Sequence, residues 1–248
     1  KKKELIFLQS IGPRLGGLLT KDIGELKRIF LSPGPIFDPE DRMDDYWGYT
    51  EAFYSVGFRP GDVVQVTFNY HLSPAGLMFE EPLRNLGCAS IPAGPTDPGT
   101  QLDIMQKLRV SGYVGTASYL MHLAQKAEEK GINLRKDLFQ EVAFVTGERL
   151  SEKMRNQLEK KFDIILRQGY GTADVGCIGY ECFHKTGLHI SNRCYVEICH
   201  PDTGIPLKDG EVGEIVVTSF NKTYPLIRLA TGDLSYIDRA PCACGRTS

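Results

Sequence analysis

No apolar run in the 248-residue chain approaches the ~20 residues that a membrane-crossing helix needs. The opening Lys1-Lys2-Lys3-Glu4, followed by Leu5 to Leu8, has the charge and apolarity of a leader. Its apolar stretch is too short, however, and no small-residue cleavage pattern follows. A charge excess is missing too. Lys and Arg number 29 against 31 Asp and Glu, a net charge of −2, whereas nucleic-acid binders carry a basic surplus. There is no disulfide framework either: seven cysteines are odd in number and irregularly spaced, in a chain large enough not to need stapling. That points to reduced thiols and metal ligation. Internal repeats and low-complexity linkers are also absent. The expectation is a cytoplasmic protein with neither membrane nor nucleic-acid partners.

What is present is ordinary globular material, 42% hydrophobic and 24% charged. From Val63 to Gly171 short apolar runs alternate with amphipathic stretches. Strands are predicted at Val63–Phe68, Cys88–Pro92, Gly112–Thr116, Glu141–Thr146 and Asp163–Arg167. Between them lie predicted helices at Gln101–Val110, Ala117–Lys130 (stopped by Gly131) and Ser151–Phe162 (N-capped by Ser151). Strand–helix–strand repetition of this kind implies a parallel sheet. After about Gly179 helices give way to strands at Cys194–Cys199, Glu211–Ser219, Leu226–Leu229 and Leu234–Ile237, separated by turn residues. The fold class expected is α/β: a parallel-sheet body (residues 1–178) with an antiparallel β subdomain (residues 179–248).

Three segments could carry chemistry. Gln168 to Asp174 follows a predicted parallel strand, and loops at the carboxyl ends of such strands bind ligands in α/β folds. Its glycines permit close backbone approach, Tyr170 offers a flat face and Asp174 a carboxylate for a metal. An ordinary Gly-rich turn fits the same pattern. Val145 to Glu148 ends the neighbouring strand, where a solvated Glu is the plainer reading. Thr231-Gly232-Asp233 could present a carboxylate to a ribose diol, or be merely a turn.

Taken together, and in this order, the three segments make the chain resemble the adenylate-forming (AMP-binding) enzymes, in particular the branch similar to phenylacetate–CoA ligase. The matching stretches are Val145–Leu150, Tyr170–Asp174 and Tyr224–Leu234, supported by Phe58–Val64, Leu86–Pro92, Thr116–Leu120 and Pro241–Thr247. The resemblance runs from about Leu19 onward. It implies ATP-dependent adenylation of a carboxylic acid, one resembling phenylacetate among the candidates, with transfer to coenzyme A. Gly147, Glu148 and Tyr170 would form the adenine pocket, Gly171 and Thr172 would approach the α-phosphate, and Asp174 would face Mg2+. Asp233 would accept hydrogen bonds from the ribose. Tyr70 and Tyr119 fall where the family lines its acyl pocket, although plain packing serves two tyrosines equally well. Arg228 matches a family arginine of unassigned role.

The departures matter as much. The family's phosphate loop is rich in Ser, Thr, Gly and Lys, and here the stretch reads Leu31-Ser32-Pro33-Gly34-Pro35-Ile36. Two prolines remove two N–H donors. The resemblance also places a lid domain with a catalytic lysine after Ser248, so this chain alone is not expected to complete a ligase cycle. Two alternatives stay open: a non-catalytic nucleotide- or acyl-binding module, and an adenylyltransferase acting on a deazaflavin phenol. The partners expected are a carboxylic acid, ATP and coenzyme A, with a homodimer as the alternative to a monomer.

By spacing alone, Cys182, His189, Cys242 and Cys244 are an unusual metal set, and buried or incidental thiols are the plainer reading. The resemblance implies otherwise, because matching positions in some members of the branch bind structural Zn2+. His184 competes with His189 on position. Cys88, Cys177, Cys194 and Cys199 read as core or surface thiols.

Overall fold

The computed structural model describes residues 1–246; Thr247, the last residue of the Pro241–Thr247 match, lies outside them. Among the described residues no helix is long and apolar enough to cross a membrane.

The chain opens with helix α1 (Lys2–Ile11) and the hairpin of β1 (Arg28–Ser32) and β2 (Ile36–Glu40). Helix α2 (Thr50–Val56) leads into β3 (Val63–Val66), α3 (Ala75–Asn85), β4 (Ala89–Pro92) and α4 (Pro98–Lys107). Then follow β5 (Gly112–Gly115), α5 (Ala117–Glu129), β6 (Val142–Val145), α6 (Glu152–Phe162) and β7 (Ile165–Thr172). The last third holds β8 (Gly176–Tyr180), β9 (His189–Ile190), β10 (Cys194–Cys199), β11 (Gly213–Ser219) and β12 (Leu229–Ser235).

Seven strands form one sheet in the order β4-β3-β5-β6-β7-β8-β9, parallel as far as β7 and antiparallel beyond it. Both faces of the parallel part are covered, which is why its strands read as unbroken apolar runs. In β6, Val142 and Phe144 join a cluster with Phe53 and Phe79 of α2 and α3. Ala143 and Val145 join a second, with Leu120 of α5 and Leu158 of α6. Caps fix the helix starts: the Ser151 hydroxyl accepts from Met154 N–H at 3.2 Å, and Asp97 accepts from Gly99 and Thr100 N–H. The Asp97-Pro98 start lies three residues before the predicted one, because an Asp N-cap followed by Pro at the first helical position outweighs the apolar spacing.

A second sheet, β10-β11-β12, is antiparallel. Two readings are corrected here. Gln168–Thr172 is strand rather than loop, since β8 turns back and pairs Gly169 with Tyr180; the turn proper begins at Ala173. In place of the strands expected at Leu226–Leu229 and Leu234–Ile237 there is one strand, β12, which takes in only Leu229 of the first and Leu234 and Ser235 of the second and pairs with β11 across a bulge. The expected division at 178/179 falls inside β8, and the separate sheet begins at Cys194.

Candidate functional site

Strand order reverses at β3, whose neighbours are β4 on one side and β5 on the other. In α/β sheets the crevice beyond the carboxyl ends at such a point receives ligands. Two of the sequence-predicted segments lie further along the carboxyl edge of the same sheet, at β6 and β7. Val145 pairs with Gln168, so Thr146 to Glu148 lies beside Gly169 and Tyr170. Gly147 adopts φ +84°, and a Cβ there would sit 3.6 Å from the Phe68 ring.

Sixty-three positions apart in the chain, Tyr170 and Asp233 meet. The tyrosine hydroxyl donates to the Asp233 carboxylate at 2.7 Å, and Asp233 itself is exposed. Burial, opposed by Thr231 and reinforced by the Asp233 charge, pushes the Tyr170 phenol well above its usual range. Beside this pair a cleft of about 380 Å3 runs between the two sheets. Its lining mixes apolar side chains (Ile178, Ile190, Ile237) with Tyr170, Asp238 and Arg239, and its size is that of a small-molecule site.

Other residues are committed elsewhere. Glu148 accepts from Ser118 N–H at 2.6 Å and from the Ser118 hydroxyl at 2.9 Å, capping the start of α5. Gly171 is glycine for a packing reason. A Cβ there would lie 2.2 Å from the Tyr49 hydroxyl and 2.3 Å from the Gly176 carbonyl oxygen. Tyr119 donates to the Thr96 carbonyl at 2.8 Å, while the Tyr70 ring covers Gly76. Arg228 lies on the far sheet, paired with Glu197 and donating to Gly204 O.

Asp174 is the deepest of the set. Its side chain is 2% exposed and pairs with Lys2 Nζ of α1 at 3.1 Å. Close by, Asp38 of β2 is 1% exposed, and burial raises its carboxyl to about 7. Ser32 and Lys2 oppose that rise and the charge of Asp174 adds to it. A carboxyl raised from 3.8 in the unfolded chain favours folding while protonated and loses that contribution as pH climbs through about 7. Asp38→Asn is therefore expected to match the parent at pH 4 and to exceed it at pH 8 by on the order of 3 kcal/mol. Urea unfolding at the two pH values measures this, and equal stability at pH 8 would contradict it. Neither Lys2 nor Asp38 carries a motif that sequence reading could have used.

The cysteine–histidine set converges. Ligand atoms of Cys182, His189, Cys242 and Cys244 all lie within 4.8 Å of one another. The Cys182 and Cys242 sulfurs are 3.7 Å apart, and Cys244 Sγ is 3.4 Å from His189 Nε2. A tetrahedron with metal–sulfur bonds of about 2.3 Å has edges of roughly 3.7 Å, so the donors fit a single ion. β8 runs into Cys182, β9 starts at His189, and the turn at Cys242–Gly245 brings in the remaining two. A backbone N–H from Cys244 and the Thr186 hydroxyl lower the Cys242 thiol to about 6, whereas burial raises that of Cys182. His184 offers only its backbone N–H to Cys182, and its ring stacks on Phe183.

Comparison with known proteins adds identity to this geometry. The family model described as AMP-binding enzyme matches residues 46–222. A phenylacetate-coenzyme A ligase of Thermus thermophilus is 30% identical over 198 residues, 78% of this chain and 44% of that protein. One from Pseudomonas putida is 31% identical over 186 residues, 73% of this chain and 42% of that protein. The chain thus spans less than half the length of these relatives. Among solved structures, 2-hydroxyisobutyryl-CoA ligase in complex with 2-HIB-AMP superposes with a TM-score of 0.92 at 22% identity, over 99% of this chain and 55% of that one. ATP-bound MatB from Rhodopseudomonas palustris gives 0.67 at 17% identity, over 91% of this chain and 48% of that one.

Proposed function

We propose a function from one premise: this chain belongs to the AMP-binding enzyme family, whose model matches residues 46–222. It is the nucleotide-binding part of an acid–CoA ligase that joins a carboxylic acid to AMP and passes the acyl group to coenzyme A. In the first step a carboxylate oxygen bonds to the α-phosphorus as the bond to pyrophosphate breaks. In the second the thiol bonds to the acyl carbon as AMP leaves. An aromatic acid is the substrate class proposed, on the strength of the phenylacetate-coenzyme A ligases it resembles.

The observation that carries this reading is the Tyr170–Asp233 pair beside the apolar cleft. Tyr170 stacks on adenine, and Asp233 exchanges the tyrosine hydroxyl for the two ribose hydroxyls. Gly147 and Glu148 close the far side of the base, with Glu148 keeping its place on α5. Gly171 and Thr172 lie along the α-phosphate, Asp174 faces the magnesium, and Tyr70 and Tyr119 bound the acyl end. Magnesium, when bound, neutralises phosphate charge as the leaving pyrophosphate develops it. Cys182, His189, Cys242 and Cys244 hold a structural zinc, since four protein ligands leave no open position for chemistry.

One observation favours a second reading, a nucleotide-binding module without ligase activity. The β1–β2 turn carries Pro33 and Pro35, so two of its positions offer no N–H to phosphate. ATP–pyrophosphate exchange across a panel of carboxylic acids, run on the full-length protein, separates the two. Exchange dependent on one acid supports the ligase; nucleotide binding without exchange by any acid supports the module.

A further inference from the structure

β12 does not run straight through its ladder. Ala230 pairs with Val216 and Leu234 with Glu214, so three residues of β12, Thr231 to Asp233, stand against one of β11, Ile215. A plain antiparallel register would put Gly232 opposite Glu214 and Asp233 opposite Gly213, and the two extra residues lift both out of the ladder. Side chains take up the amides freed in this way. Gly232 N–H donates to Glu214 Oε1 at 3.1 Å, and Asp233 N–H donates to the Thr231 hydroxyl at 3.2 Å. That hydroxyl in turn donates to the Ile215 carbonyl of the facing strand at 3.1 Å.

We propose that Glu214 is a positioning residue: with Thr231 it closes the bulge of β12 and so aims the Asp233 carboxylate at a ribose diol. This deepens the nucleotide-site reading and rests on it. The strand itself needs no carboxylate here, since Ile215, Val216 and Val217 follow Glu214 and all three are buried. Glu214 is only 8% exposed, and a carboxylate held at that depth is costly unless it is hydrogen-bonded. Its bond goes to Gly232, the residue immediately before Asp233. Held in this way, Asp233 reaches across to the other sheet and accepts the Tyr170 hydroxyl at 2.7 Å.

Glycine at 232 belongs to the same device. Its φ is +90°, and no atom lies within 4 Å of where a Cβ would stand, so backbone conformation rather than space selects it. A glycine relaxes readily, and the charged acceptor on Glu214 is what fixes its N–H. Thr231 is buried with its hydroxyl used on both sides, so the bulge cannot rotate without losing two bonds. Bulges beside binding sites re-aim a side chain in this manner.

Calorimetry with AMP and with 2′,3′-dideoxy-AMP, which keeps the base and phosphate but lacks both ribose hydroxyls, tests the proposal. Glu214→Ala and Thr231→Val are each expected to cut the parent's preference for AMP at least about fivefold, with dideoxy-AMP affinity unchanged. Glu214→Gln, which keeps an acceptor oxygen for Gly232, should retain that preference within about twofold. In the ligand-free chain, amide hydrogen exchange at Gly232 should speed up in Glu214→Ala and stay slow in Glu214→Gln. Equal weakening of both nucleotides, or a preference unchanged in both Glu214→Ala and Thr231→Val, overturns the proposal. So does Gly232 exchange that is indifferent to Glu214→Ala. If Glu214→Ala does not fold, Thr231→Val reads the same bulge. A parent that binds no AMP, yet whose Gly232 amide depends on Glu214, loses the nucleotide reading and keeps Glu214 as the residue that sets Asp233 against Tyr170.

Discussion

Glu181→Ala is expected to lower the free energy of unfolding by about 3–5 kcal/mol, the cost of stranding a buried charge. Arg155 and Glu181 have side chains only 1% and 3% exposed, joined by two bonds of 2.9 and 2.6 Å. The same carboxylate accepts from Gln168 N–H at 2.9 Å and from the Gln168 side chain at 3.0 Å. Glu181 therefore anchors β7 two residues before Tyr170, and it directly precedes Cys182. Removing it leaves two Gln168 amide donors without that acceptor and a buried guanidinium with only the exposed Glu152 carboxylate and the Leu166 carbonyl. The double change Arg155→Met, Glu181→Leu is expected to lose less, because it removes both charges and fills the volume. Urea midpoints of the three chains measure this. A loss below about 1 kcal/mol in Glu181→Ala would mean that water reaches Arg155 and relieves it.

The second large effect is loss of the metal. Protein purified without chelator is expected to carry about one zinc per chain, and Cys242→Ser combined with Cys244→Ser to carry none. Structural zinc sites of this donor class contribute on the order of 10 kcal/mol in small domains. In this chain that energy is local. The stretch after β12 buries few of its residues, and the ligands tie its end to β9. The metal-free chain should therefore be cut by protease after residue 235 while the seven-stranded sheet stays intact. Metal analysis and limited proteolysis check the two halves of this expectation. Protein isolated without zinc, or serine variants that retain it, would contradict the assignment.

The parallel sheet was legible because burial on both faces leaves continuous apolar strands such as Val142–Val145, and because Ser151 and Gly131 punctuate the helices visibly. The continuation of β7 through Tyr170 was not. Glycines at 169 and 171 read as a loop, while the antiparallel return of β8 that makes them strand is a tertiary fact. Leu226–Ile237 failed for a related reason: a bulge and Gly232 break the alternation of a single strand. At the site, the meeting of Tyr170 with Asp233 across 63 residues leaves no local signature, and only the family resemblance placed the two together. Choosing His189 over His184 depended on that resemblance too, since both follow Cys182 closely. Lys2 and Asp38 stayed invisible. α1 buries only Leu5, so its docking left no apolar stripe to read, and a buried Asp in a strand looks in sequence like a solvated one.

The central claim is that Asp233 and Tyr170 hold the adenosine end of a nucleotide, and calorimetry with AMP, ADP and ATP in the presence of magnesium tests it most directly. The parent should bind AMP, with ATP no more than about tenfold tighter, because the Pro33-Gly34-Pro35 turn offers few donors to the outer phosphates. Two ribose hydrogen bonds to a charged acceptor are worth about 1.5–3 kcal/mol each, so Asp233→Ala should weaken all three nucleotides by a similar factor of at least roughly tenfold. Absence of AMP binding in the parent, or an Asp233→Ala chain that discriminates strongly among the three, would contradict the account.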